Sequence, residues 1–337
     1  MNLDEIISAT RSRAALFERD DRGLLEVRGE DRVRWLDGMI SGDMQGLVDA
    51  GSGGRSGCYA LLLTNRGAIV ADLHVGRIGE SFVLESRRDQ IPKIREALDR
   101  FIIADDVTLV DLCADLVVLA IEGPRAGEVV SKAVGVEIEL GAEDWAEFEI
   151  AARRVRIGTF GVTGETAYQL HLAVEDRAAI VSALEAAGRD VGMVWGDAVA
   201  LEVMRVEAGI PALGSELNEE VLPAEARLER AISTSKGCYV GQEIVARLRS
   251  RGQVNHLLVG FRIEGDVRPA MDTPLMVGTR RIGEITSVAD SPEFGSIALG
   301  FVRREHSEVG SEVEFEGGVA RVAALPFSTR ATPAEPS

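Results

Sequence analysis

Lys236-Gly237-Cys238-Tyr239-Val240-Gly241-Gln242-Glu243 packs a cation, a thiol, two glycines, an amide and a carboxylate into eight residues of a 337-residue chain. Lys236 stands two residues before Cys238, so an ammonium near the sulfur would favour the thiolate, the reactive form of cysteine. The glycines mark a tight turn. From these residues alone two accounts stand level: a reactive thiol on a turn, or an ordinary turn whose cysteine is a small buried hydrophobe. The surrounding chain has to separate them.

Downstream, Arg247, Arg249 and Arg251 alternate, and a strand would aim all three guanidinium groups to one face, either solvated or lining an anion-binding groove. From 256 to 324 short apolar runs (257–263, 279–288, 296–302 and 312–322) are broken by turns, the pattern of a β-barrel or sandwich. Residues 329–337 hold two prolines and no apolar anchor, as a frayed tail does.

Upstream, 3–19 reads as a short helix, and Leu24-Leu25-Glu26-Val27-Arg28-Gly29 alternates like a strand before a helical period over 30–39. The same strand, glycine, helix order returns at 116–124 and 125–134. Two such units suggest halves of one sheet-and-helix domain, separated by an insertion. The insertion follows a glycine-rich connection over 46–57 and predicts a hairpin (59–64 and 67–78) around Asn65-Arg66-Gly67, a strand at 82–86, a helix at 89–101 and a strand at 107–112. Strands over 145–157 and 167–174, helices over 176–187 and 197–208, and an acidic, proline-bearing loop over 213–227 complete the middle of the chain.

An apolar content of 46% with 27% charged residues is that of a folded globular protein, long enough for two or three domains. The 37 basic and 55 acidic residues, net charge −18, oppose non-specific attraction to nucleic acid or an anionic membrane. No run reaches the roughly 18 apolar residues of a membrane span, and the first twenty or so residues have no apolar signal core, so the expected location is the cytoplasm. Cys58, Cys113 and Cys238 are too widely spaced for a CxxC pattern, and the four histidines are dispersed, so no dedicated metal site is expected.

Taken in order, these residues resemble the YgfZ-type folate-binding proteins, relatives of the glycine-cleavage T-protein (aminomethyltransferase). The resemblance is most specific at Lys-Gly-Cys-Tyr-x-Gly-Gln-Glu and continues through Ile244-Val245-Ala246-Arg247 and Arg251-Gly252. Pieces similar to the T-protein run from Leu25 to Asp31, through Leu63-Thr64 to Leu73, Ile121-Glu122-Gly123-Pro124 and Thr163-Gly164-Glu165, to Arg205-x-Glu207-x-Gly209-x-Pro211 and Gly214-x-Glu216.

The resemblance implies an α+β fold, a three-domain T-protein-like ring with tetrahydrofolate in a central channel. Its domains would be a discontinuous α+β folate-binding unit (1–54 and 114–218), an inserted ferredoxin-like α+β unit carrying the cysteine motif (55–113 and 219–253), a C-terminal β-barrel (254–326) and a flexible tail (327–337). The implied role is a folate-dependent accessory factor for assembly or repair of iron-sulfur proteins, including enzymes that thiolate tRNA. Iron-sulfur clients and a folate would be its partners. An aminomethyltransferase or demethylase of one-carbon metabolism is the alternative, and a folate- or RNA-binding module without chemistry a third reading.

For the site, the resemblance puts Asp72, in Ala71-Asp72-Leu73, at the reactive edge of the folate. An aspartate inside an otherwise apolar strand is costly to bury without a partner, which marks it independently, although a solvated strand face shared with His74 would also explain it. Where the T-protein carries a pterin-holding glutamate this chain reads Glu165-Thr166-Ala167-Tyr168-Gln169; Gln169 keeps a donor and an acceptor but no charge, and Tyr168 is either a ligand contact or a core aromatic. Cys238, Lys236 and Asp72 are the expected catalytic residues, and Asp72, Gln169, Tyr168, Glu165 and Arg247 the expected folate contacts. Cys58 and Cys113 read as structural, as do Arg205 and Glu207, while Glu216 and Glu225 sit on a loop that could carry function.

Overall fold

A computed structural model describes residues 1–50, 54–265 and 267–327. Three sheets organise three domains of mixed α and β structure.

The first is six-stranded, in the order Val194–Trp195, Ala15–Glu18, Leu116–Glu122, Ala167–Ala173, Arg153–Gly158, Trp145–Ile150. Period-two alternation sends Leu119, Ile121, Leu170 and Leu172 to one face, where they meet Val129, Val130, Ile180 and Leu184 of the helices Ala126–Val134 and Arg177–Gly188. The opposite face of Ala167–Ala173 carries Gln169 and His171, both buried.

The second sheet has the order Gly57–Leu63, Ile69–Ile78, Ser81–Arg87, Arg22–Arg28, Thr108–Asp111. Apolar residues on one of its faces pack with the helices Arg32–Met39, Ile91–Asp99 and Ala198–Ala208 in the largest core. Its other face meets the first sheet across a small apolar cluster of Leu24, Ile78, Val83, Val118, Trp145 and Phe160. Gly57 and Gly76 make room there: a Cβ on either would run into the Trp145 indole.

The third sheet closes into a barrel, His256–Glu264, Gly295–Arg303, Arg280–Ser291, Pro274–Val277, Glu312–Phe315, Gly318–Ala323. Arg205 and Glu216 fasten it to the body. Arg205 bonds Glu202, Glu216 and Ser287, and Glu216 accepts from Thr286 and Ser287 at 2.6 Å. These buried charges are paired on all sides, so they act as structure.

Several local expectations change. The two strand, glycine, helix units do not share a sheet: Arg22–Arg28 pairs with Ser81–Arg87 and Thr108–Asp111, whereas Leu116–Glu122 pairs with Ala15–Glu18 and Ala167–Ala173. A local pattern fixes a strand but not its partner. The arginine row lies on a helix, Gln242–Arg251, stabilised by a Glu243–Arg247 pair at i,i+4, so residues two apart do not share a face. The glycine-rich connection holds a short helix, Met44–Asp49, capped by the Asp43 carboxylate. Segment 145–157 is a hairpin turned at Ala151 and Ala152, and the helix at the N-terminus ends at Ser12. The tail from 328 lies outside the described residues; Phe327 itself is buried, its amide donating to the Glu207 carbonyl.

Candidate functional site

Where the two sheets face each other, their strands deliver polar side chains to one buried layer. Asp72 and His74, two residues apart on Ile69–Ile78, share a face with Tyr59 and Glu85 of the neighbouring strands. Gln169 and His171 approach from the first sheet.

Asp72 is 7% exposed. Tyr59 Oη donates to its Oδ2 at 3.1 Å, and burial together with the Asp72 charge holds the phenol well above its usual range, so the tyrosine remains a donor. Among the described residues Asp72 Oδ1 has no hydrogen-bond partner. Gln169 uses Nε2 to reach the Phe160 carbonyl at 3.1 Å and leaves Oε1 unpaired. The Trp145 indole N–H and His171 Nδ1 are also unpaired and buried. An unmet buried polar atom costs about 1–3 kcal/mol, and four around one layer call for an explanation. Together they offer two acceptors, one donor and an imidazole nitrogen among flat rings: Trp145 stacks on His171 (4.9 Å, 18°) and Phe160 on His74 (3.9 Å, 8°).

Behind them, Glu85 is fully buried between Arg22 (Nε to Oε1, 2.7 Å) and His171 Nε2. Burial alone would raise the Glu85 carboxyl, but Arg22 and His171 outweigh it and hold it far below the usual range. Glu85 is therefore an anion that fixes the His171 ring.

Residues 40–41 pair with the edge strand Gly57–Leu63, and the segment leading into the cysteine stretch packs against them. Ser41 accepts from the Leu61 amide (2.7 Å) and bonds the Ala231 carbonyl, Ser233 N bonds Ser41 O (3.0 Å), and Arg230 lies over the Tyr59 ring (4.7 Å). Gly241, at φ +85°, lets the turn close against Thr64. Val240 reaches the rim of a cavity of about 380 Å³ lined also by Met39, Leu62, Val70 and Phe101. Cys238 is exposed.

Lys236 is not the activating cation expected of it. Its ammonium is buried and donates to the carbonyls of Asp37, Ile40 (2.9 Å) and Gly42, with Asp37 Oδ1 at 3.2 Å. Burial pulls it below the usual lysine range although Asp37 and Asp43 oppose this. All three ammonium hydrogens are committed to closing the end of the helix Arg32–Met39. Replacing Lys236 with Met should cost about 3 kcal/mol in urea denaturation, since charged hydrogen bonds are lost. Were Lys236 the counter-ion of the thiolate, the variant would keep its stability and lose Cys238 alkylation rate instead.

Three other expected contacts are not brought together with Asp72. Tyr168 points to the opposite face of its strand from Gln169, into the helix-covered core. Glu165 is tied to Arg11 at 3.0 Å, which also holds Glu207 at 2.6 Å. Arg247 is exposed and paired with Glu243. Burial pushes the Cys58 thiol up to about 12 and that of Cys113 to about 11, which suits inert, protonated groups. The sequence alone does not single out His171, Glu85 or Trp145. His171 was within reach of the sequence, two residues beyond Gln169 in the same strand; the others come from distant segments.

Comparison with known proteins follows the same outline. Residues 3–236 match the model of the GCVT N-terminal domain, and 257–329 that of the glycine cleavage T-protein C-terminal barrel domain. An aminomethyltransferase of Moorella thermoacetica is 30% identical over 95% of this chain and 88% of its own, and one of Geobacillus sp. 28% identical over 98% and 91%. The crystal structure of aminomethyltransferase T of the glycine cleavage system from Bartonella henselae superimposes with a TM-score of 0.86 at 23% identity, over 99% of this chain and 91% of that one, a likeness of fold. With two domain models covering nearly its whole length, this chain belongs to the glycine cleavage T-protein family.

Proposed function

We propose that the layer between the two sheets binds tetrahydrofolate, and that the chain serves as a folate-dependent accessory factor for the assembly or repair of iron-sulfur proteins, including tRNA-thiolating enzymes. The observation that carries the folate part is the pair of buried, unpaired acceptors, Asp72 Oδ1 and Gln169 Oε1. A reduced pteridine is flat and carries ring N–H and amino donors beside a carbonyl acceptor, so it fits a layer offering two acceptors, an indole N–H and stacked rings. Asp72 and Gln169 would hold the ring and Tyr59 would orient Asp72. When bound, tetrahydrofolate supplies a carrier for one-carbon units. Because Gln169 is neutral, the glutamate charge of the T-protein is replaced by a weaker amide contact.

The iron-sulfur part rests on the Lys236 to Glu243 motif and on the exposure of Cys238, a thiol that a client protein can reach. Arg230, whose guanidinium lies over the Tyr59 ring, precedes Cys238 by eight residues in the same segment, and that proximity in sequence is what relates the thiol to the layer in this reading. The expected setting is the cytoplasm, and the net charge of −18 argues against nucleic acid as the direct partner. In cells that depend on this protein, Cys238→Ala should depress iron-sulfur enzyme activity while leaving tetrahydrofolate binding intact. Wild-type activity in that strain would remove the accessory role. The second reading, tetrahydrofolate-dependent aminomethyl transfer, is favoured by the 30% identical aminomethyltransferase relative; methylenetetrahydrofolate formation from an aminomethyl donor by the purified protein would select it.

A further inference from the structure

Two chains of contact leave Arg230 and end on neighbouring residues of one strand face. One runs through the Tyr59 ring (4.7 Å) to Asp72; the other runs through Glu143 (3.7 Å) to His74 Nδ1, 2.7 Å from Glu143 Oε2. A carboxylate oxygen accepts, so this contact is served by a hydrogen on the imidazole Nδ1. His74 Nε2 has no partner among the described residues, and the side chain is 13% exposed. Here one nitrogen is anchored, and the ring shares a strand face with Asp72, whose Oδ1 is free.

Glu143 reaches this position at a cost. It is a buried, non-glycine residue at φ +66°, held by its amide bond to Thr159 O at 2.9 Å. Left-handed backbone at such a residue persists only where the surroundings enforce it, and it clusters at functional sites. The imidazole plane is fixed as well, by Phe160 stacked at 3.9 Å and Tyr59 at 4.9 Å. The other charged or titratable groups facing it are Asp72 on its own strand and, across the strand pair, Glu85, whose carboxylate is already taken by Arg22 and His171.

We propose that His74, oriented by Glu143, is a further ligand-binding and proton-exchanging residue of the layer, presenting Nε2 to the pteridine. This rests on the folate reading. Glu143 is its positioning residue. Neutral imidazole accepts a hydrogen bond from a ring N–H; imidazolium donates one to a ring nitrogen or carbonyl, so one side chain serves both protonation states of a ligand.

The test is long-range 1H–15N NMR of the full chain labelled at its four histidines, titrated with tetrahydrofolate, with His74→Gln assigning the signal. The expected result is a neutral His74 protonated on Nδ1 whose Nε2 resonance moves as ligand is added. His74→Gln should weaken binding roughly tenfold, the worth of one hydrogen bond in a desolvated site. Glu143→Leu, which removes the acceptor, should lose the Nδ1-protonated signature. Ligand binding with a stationary Nε2 resonance, or a neutral His74 protonated on Nε2, overturns this inference alone. No binding by the wild type overturns the folate reading and this inference with it.

Discussion

Glu85→Gln should cost the folded protein about 3–5 kcal/mol at neutral pH by urea denaturation, the effect of stripping one partner from a buried charge pair. The amide keeps the shape of the side chain but leaves the Arg22 guanidinium buried without its anion, and loosens His171. Acid should reveal the same group. In the folded state Glu85 lies far below its ordinary value of 4.5, so as pH falls the unfolded chain takes up that proton first. Its stabilisation is complete above that ordinary value and drains away as pH falls toward the folded value. The stability gap between wild type and Glu85→Gln should therefore narrow from pH 7 to pH 3. A gap that stays constant would mean that the Arg22–Glu85–His171 array contributes packing rather than charge.

Glu85 also shows what a sequence can and cannot reveal. Its strand was legible, because Phe82 to Ser86 has the residues of a β-strand, and so were the barrel and most helices. Its partners were not, because Arg22 and His171 come from two different sheets and nothing local fixes which strands will pair. The same limit joined the two strand, glycine, helix units into one sheet. Lys236 was misread for a related reason: its acceptors lie 194 to 199 positions earlier, whereas Cys238 is two residues away and invites a local explanation.

Elsewhere the local sequence carries the deciding signal. Tyr168 and Gln169 are adjacent in a strand and so cannot face one ligand from one side, and that rule also pointed to His171. The arginines at 247, 249 and 251 alternate, but Gln242-Glu243-Ile244-Val245-Ala246-Arg247-Leu248 contains good helix formers with a Glu–Arg pair at i,i+4, and helix was the stronger reading. Asp72 was visible because a carboxylate in an apolar strand demands a partner. Its structural partner, Tyr59, takes one oxygen and leaves the other free.

That free oxygen is the centre of the account. Asp72→Ala removes it together with the acceptor for Tyr59, and a hydrogen bond to a charged group is worth about 1.5–3 kcal/mol, so tetrahydrofolate affinity should fall roughly 10- to 150-fold. Calorimetric titration of the wild type and Asp72→Ala with tetrahydrofolate is the most direct measurement. Saturable binding by the wild type, with that loss in the variant, is the predicted result. A wild type that does not bind, or a variant that binds equally well, would contradict it.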